Sequence, residues 1–354
     1  MSATALIATS LTAVAAIAVG GAAFVWTPAV GRTNGTADMA ERLKKITAET
    51  NPRINVFRNA ERVTMIEATM KEAPEKTDPP LISALATELL NSGRTADALA
   101  QYDRIGALMN EHGVQAGSRH WRDLMFRKVT ASLRLAEDDN CRMNHNAKSC
   151  LFPLRGEGVH GEKRGAQAAA ALLDALLADA PNDLKARWLL NVAHMAIGDW
   201  PSGIPARQLI PPERFASEAD IGAFPDIAGP VGLDVDDGAG GVITDDFDGD
   251  DDLDIMASAL GVTAPLRYFR NDAGRFVEAT EAAGLVGETG GLNIVQTDYD
   301  NDGRPDVLVL RGGWMGKAGH YPNSLLHNDG GGHFTDVTVE AGLLSFHPTQ
   351  TGAW

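Results

Sequence analysis

Two acidic stretches in register constrain this chain more than any other feature. Asp246-Phe247-Asp248-Gly249-Asp250-Asp251-Asp252-Leu253-Asp254 is followed 52 residues later by Asp298-Tyr299-Asp300-Asn301-Asp302-Gly303-Arg304-Pro305-Asp306. Both carry Asp at the first, third, fifth and ninth places. Carboxylates this close repel one another, and Asp is a poor strand former. Yet each stretch runs straight into an apolar strand, Ile255-Met256-Ala257 in one case and Val307-Leu308-Val309-Leu310 in the other. A single such run reads as a solvated acidic turn. Two in register point instead to a cation among the carboxylates, and the hard oxygen donors select Ca²⁺, which takes six to eight oxygens at about 2.3–2.6 Å. An EF-hand would need Glu at the twelfth place, where this chain has Ala257 and Val309.

The surrounding sequence repeats as well. "FPDIAGPVGL" (224–233), "FVEATEAAGL" (276–285) and "FTDVTVEAGL" (334–343) share one frame, with phenylalanines 52 and 58 residues apart. "YFRNDAGRF" (268–276) and "LLHNDGGGHF" (325–334) each read as a strand, a turn and a strand. A period of 50–60 residues with several short strands per unit is the signature of propeller blades. The chain's net charge of −16 lies entirely in 224–354, where 22 Asp and Glu face 6 Lys and Arg. That balance suits a bound cation and argues against nucleic acid, which needs a basic footprint.

Upstream the pattern is helical. Residues 38–200 show apolar residues at helical spacing, notably over 79–109 and 165–200. Gly93 falls in a turn between two helices, with Ala98 and Tyr102 on the packing face of the second. Ala169, Leu173, Pro181, Leu184 and Gly198 fit the same frame, with 17 residues from Pro181 to Gly198. This arrangement resembles a tetratricopeptide repeat, a helical hairpin of about 34 residues. A Cys/His insert at 140–165 interrupts it, carrying Cys141, His145, Cys150 and His160. These four residues suit a disulfide between the cysteines or a zinc or copper site. The Pro-rich stretch opening 201–223 reads as a linker. His194 reads as a core histidine. His327, His333 and His347 read as surface or packing residues of repeat turns, and Trp121, Trp188 and Trp314 as core aromatics.

Residues 1–26 are apolar and uncharged as far as Arg32. They fit a secretory signal peptide or a membrane anchor, with a buried Ala-rich helix as the third reading. Arg32, Arg42, Lys44 and Lys45 follow the run, which by the positive-inside tendency would hold the remainder in the cytoplasm. The acidic loops favour export, because they suit an extracellular ion, so the expected location is extracytoplasmic.

The acidic loops resemble the Ca²⁺ loops of FG-GAP/VCBS-type β-propeller repeats. Together with the repeated F-x-[DE]-x-T…G-L units and the "RYFRND", "GGWMG" and "PNSLLHNDGGGHFTDVT" stretches, the region 224–354 resembles the cartilage-acidic-protein (ASPIC/UnbV-type) family. Bacterial members of that family can carry tetratricopeptide-like helices ahead of the propeller. The resemblance implies a first Ca²⁺ site lined by Asp246, Asp248, Asp250, Asp252 and Asp254. It implies a second lined by Asp298, Asp300, Asp302, Arg304 through its carbonyl, and Asp306. Asp251 stands where the family pattern has Gly.

The expected fold is therefore multidomain: a helical, tetratricopeptide-like region followed by an all-β, incomplete FG-GAP/VCBS-type propeller. A third acidic loop would fall just beyond Trp354, so further blades are expected from a longer chain or a partner. The expected function is a non-enzymatic, exported, calcium-stabilised scaffold that binds a protein or glycan. The competing reading is a metalloenzyme, or a redox or biosynthetic partner, with its centre at residues 141–160. No G-x-S-x-G elbow, P-loop or H-E-x-x-H motif is present.

Overall fold

A computed structural model describes residues 17–19, 22–24, 35–55, 57–142, 146, 148–149, 151–216, 219, 222, 224–235 and 237–353. Most of the apolar N-terminal run, together with His145 and Cys150, lies outside these residues. Within the run, β1 (Ile17–Val19) pairs antiparallel with β2 (Ala22–Phe24). Among the described residues no helix is long and apolar enough to cross a membrane.

Among the described residues eight helices follow: α1 (Gly35–Glu49), α2 (Asn59–Glu72), α3 (Pro79–Asn91), α4 (Thr95–Glu111), α5 (Arg119–Asn140), α6 (Arg164–Asp179), α7 (Leu184–Ile197) and the single-turn α8 (Ala228–Val231). Their ends are set by local chemistry. Asp78, Ser118 and Asp183 cap α3, α5 and α7 by accepting from the backbone N–H of Leu81, Trp121 and Ala186. Gly93 turns the chain between α3 and α4 at φ +79. From α2 to α7 each helix packs on the next in sequence. Ala98 and Tyr102 of α4, and Ala169 and Leu173 of α6, are buried where the spacing placed them. Gly165 lets α6 approach α5 closely, since a Cβ there would stand 2.5 Å from the backbone nitrogen of Ala136.

The Pro-rich stretch after α7 folds back on the helices. Ile204 and Leu209 join the α5–α7 core, and Asn191 receives Nε1–H of Trp200 and N–H of Ile210 on its Oδ1. The insert between α5 and α6 is closed at its base by Asn140, which exchanges two hydrogen bonds with the backbone of Glu162.

Two four-stranded antiparallel sheets make up the C-terminal region. The first runs β3 (Ala239–Asp245), β4 (Asp254–Ala259), β5 (Arg267–Asp272), β6 (Arg275–Glu278) in that spatial order. The second runs β7 (Asn293–Thr297), β8 (Asp306–Leu310), β9 (Ser324–Gly330), β10 (His333–Asp336), again as a simple meander. The sheets are repeats of each other, and β3 packs beside β7. They share one apolar core that takes Ile243, Phe247, Met256 and Tyr268 from one unit and Ile294, Val307, Leu326 and Phe334 from the other. The two sheets stand side by side and, among the described residues, do not close into a ring.

Helix α1 lies apart from the helical array. Met39 and Leu43 pack against Met315, Ala318 and Tyr321 of the second sheet unit, and Thr36 Oγ1 accepts the backbone N–H of Asp336 at 3.0 Å. The helical reading of 38–200 placed this helix with its sequence neighbours, but its apolar stripe is buried against residues 315–321 of the second sheet unit.

Candidate functional site

Each acidic stretch forms the turn from the first to the second strand of its sheet, 246–253 between β3 and β4 and 298–305 between β7 and β8. The first Asp organises each turn. Asp246 accepts the backbone N–H groups of Gly249 and Asp250 on Oδ1 and of Asp251 on Oδ2. Asp298 accepts those of Asp302 and Gly303. These bonds curl each loop so that alternate carboxylates face inward. The curl needs left-handed backbone twice per loop: Gly249 and Asp251 in the first, Asn301 and Gly303 in the second. Asp251 adopts φ +72 where its counterpart Gly303 has +88, so the departure from the family pattern leaves the turn intact.

The ninth Asp locks the loop onto its own sheet. Asp254 is fully buried; its Oδ1 accepts the N–H of Asn271, and its Oδ2 accepts the N–H of Phe247 and the hydroxyl of Tyr268. Asp306 repeats this with the N–H groups of Asn328 and Tyr299. Burial pushes the Asp306 carboxyl up to about 6, partly offset by those two backbone donors. Burial likewise raises Asp248, helped by the negative charges of Asp254, Asp250 and Asp246.

Three groups of ligating atoms converge to within 4.8 Å of one another: Asp246, Asp248 and Asp250; Asp298, Asp300 and Asp306; and Asp300, Asp302 and His327. Two oxygens on opposite sides of a Ca²⁺ ion at about 2.4 Å stand about as far apart. The third Asp of each loop carries the most telling atom. Asp248 Oδ1 and Asp300 Oδ1 are both buried and both lack a hydrogen-bond partner. A lone carboxylate oxygen is costly to bury unless something positive reaches it. The donor set therefore fits a hard divalent cation in both loops.

Asp254, bound to its own sheet, belongs to none of the three groups. Asp252 donates its N–H to Asp250 Oδ1 and belongs to none of the three groups. Asp302 accepts the N–H of Arg304 and pairs with the Arg304 guanidinium, whose Nε also donates to the carbonyl of Asn328 at 2.7 Å. In the helical insert, Cys141 and His160 join no such group among the described residues. His160 has a buried Nδ1 without a partner, and burial lowers its pKa.

Sequence reasoning passed over three residues. His327 reads as a turn residue but is buried on β9, with Nε2 3.1 Å from Asp300 Oδ2. Asn271 and Asn328 hold the ninth Asp of each loop by their backbone N–H, each at 2.8 Å. The repeated Arg-Asn-Asp and His-Asn-Asp triplets were the available signal, because both set a basic side chain and an Asn at one strand position. Two of the tryptophans also differ from expectation: Trp188 is 41 % exposed and Trp314 67 % exposed, the latter at a left-handed bend. His194 is a partnered histidine, its Nδ1 2.8 Å from Asp199.

Residues 246–309 match the FG-GAP-like repeat. The match begins at the first Asp of the first loop, includes the whole second loop and ends within β8. No curated protein and no solved structure matches the chain.

Proposed function

We propose that the C-terminal region is a calcium-stabilised run of β-propeller blades of the ASPIC/UnbV type, and that the tetratricopeptide-like helices form an arm beside it. The observation that carries this reading is the pair of equivalent orphan oxygens, Asp248 Oδ1 and Asp300 Oδ1. Asp246, Asp248 and Asp250 would hold one ion, and Asp298, Asp300 and Asp306 the other, with Asp252, Asp254, Asp302 and the Arg304 carbonyl completing the shells. A bound Ca²⁺ supplies charge neutralisation. The chain's own residues do the rest: the first Asp curls the loop, the ninth fixes it to the neighbouring strand, and the third presents an oxygen with no other partner.

The role is structural. What supports this is that each loop is tied by its ninth Asp to the neighbouring strand of its own sheet, so an ion there fixes a strand-to-strand turn. Such a protein would act as an extracytoplasmic scaffold, with the helical arm and the exposed loop ends as surfaces for a protein or glycan. Elemental mass spectrometry of the chain purified without chelator tests this. Two divalent ions per chain in the loops, at least one of them Ca, with one ion lost in Asp300→Ala/Asp302→Ala, is expected; no Ca in the wild-type chain would refute it.

A second reading rests on the buried, unpartnered Nδ1 of His160. In that reading Cys141, His145, Cys150 and His160 hold zinc or copper as an enzymatic or redox centre. One zinc or copper per chain, lost in Cys141→Ser, is its signature in the same measurement.

A further inference from the structure

The two acidic loops differ in one respect that sequence alignment of the Asp residues hides. Beside the second loop, His327 is 6 % exposed and turns Nε2 toward Asp300 Oδ2 at 3.1 Å and Asp302 Oδ2 at 3.6 Å. Its other nitrogen, Nδ1, is 3.0 Å from Asp329 Oδ1. Asp329 is itself steadied by the Thr335 hydroxyl, which donates to Oδ2 at 2.6 Å. An Nδ1–H donated to Asp329 leaves the Nε2 lone pair facing two carboxylates. A carboxylate that orients a histidine so that the opposite nitrogen faces a cation is the usual outer shell of a metal-bound imidazole.

The spacing suits a small ion. Two ligands of a tetrahedral ion at about 2.0–2.1 Å lie roughly 3.3 Å apart. The Nε2–oxygen separations of 3.1 and 3.6 Å bracket that value. Asp300 is 7 % exposed, and its Oδ1 is buried without a partner. The first loop has no equivalent. The matching strand position there is Arg270, which is 46 % exposed and pairs with Asp272 at 2.8 Å. A guanidinium cannot ligate a cation.

We infer that the second loop is a zinc-class site, in which His327 Nε2, Asp300 and Asp302 take a borderline divalent ion in preference to Ca²⁺, while the first loop remains an all-oxygen site. The inference rests on the proposed cation-binding role of the loops. Imidazole nitrogen favours Zn²⁺ over Ca²⁺, which takes oxygen. Asp302 exchanges its Arg304 partner for the ion, and Arg304 keeps its bond to the Asn328 carbonyl.

The test uses the full chain, stripped of metal, loaded with Ca²⁺ and then equilibrated with Zn²⁺. The readout is Ca retained per chain, so zinc taken up by the helical insert does not interfere. The wild type is expected to start with two Ca and keep one, while His327→Gln keeps two. A wild type that keeps both Ca overturns the inference and leaves the calcium reading standing. A wild type that never binds Ca overturns the calcium reading; zinc retained equally by wild type and His327→Gln then overturns this inference also. If His327→Gln folds poorly, the Co²⁺-loaded Cys141→Ser/His160→Ala chain decides. A paramagnetically shifted imidazole N–H resonance is expected, and its absence shows only an imidazolium ion pair at His327.

Discussion

Asn328, on β9, donates its side-chain amide to the backbone carbonyl of Phe247 at 2.9 Å, so the second sheet grips the first acidic loop. The same amide donates to the carbonyl of Pro305 at 3.2 Å, and Asn328 Oδ1 accepts the N–H of Gly330. One buried side chain thus joins both loops and the β9–β10 turn. Asn328→Ala would strand two buried carbonyls. The expected loss is about 2–3 kcal/mol in urea unfolding of the metal-free chain. A loss under about 0.5 kcal/mol would show that water replaces the amide.

Asp251 and Gly303 occupy one loop position with left-handed backbone, at φ +72 and +88. A non-glycine residue there costs about 1 kcal/mol. Asp251→Gly is therefore expected to stabilise the chain by about 0.5–1 kcal/mol, and Gly303→Ala to destabilise it by a similar amount. Equal and opposite shifts in chemical denaturation would confirm the equivalence of the two loops. A destabilising Asp251→Gly would give the Asp251 side chain a role of its own.

Calcium should raise the melting temperature. For a site of roughly 10⁻⁴ M affinity, 10 mM Ca²⁺ adds about 2.7 kcal/mol by mass action. Calorimetry with and without chelator should show both sites in the wild type. Asp248→Asn should abolish the first loop's share and leave the second's.

Glu288 and Arg311 form a fully buried ion pair at 2.6 Å, joined by the Ser324 hydroxyl. Burial raises the Glu288 carboxyl from 4.5 to about 7; Arg311 opposes this and the nearby negative charge of Asp336 adds to it. The folded chain therefore holds this proton more tightly than the unfolded chain does. The stabilisation is fully present below about 4.5 and is lost as pH rises through about 7. The loss would reach roughly 3 kcal/mol. Asp336→Asn removes the like charge and should flatten the slope of stability between pH 5 and 7. An unchanged slope would mean that the two carboxylates are uncoupled.

Much of the β region could be read in advance, because a repeat announces itself twice. The frame shared by Asp246 and Asp298 fixed the position of both turns, and the Phe276 and Phe334 units fixed the hairpins. In the helices, Gly93, Ala98, Tyr102 and Pro181 fell where helical spacing put them. What escaped was nonlocal. His327 lies 27 residues from Asp300 and reaches it only because β9 pairs with β8. The docking of α1 was equally hidden, since an amphipathic stripe shows that a partner exists but not which one. Trp314 misled for a related reason: aromatic size suggests a core, whereas the left-handed bend at that residue turns the ring outward.

The seat of α1 sets the order in which this chain can finish folding. Thr36 meets Asp336 only after 300 further residues have been made. At about 5–20 residues per second that is a delay of roughly 15–60 s. Throughout that interval the apolar stripe of Met39 and Leu43 has no partner, while α2 to α7 can already pack on one another as they emerge. Docking of α1 thus waits for the second sheet, although α1 precedes α2 to α7 in the chain.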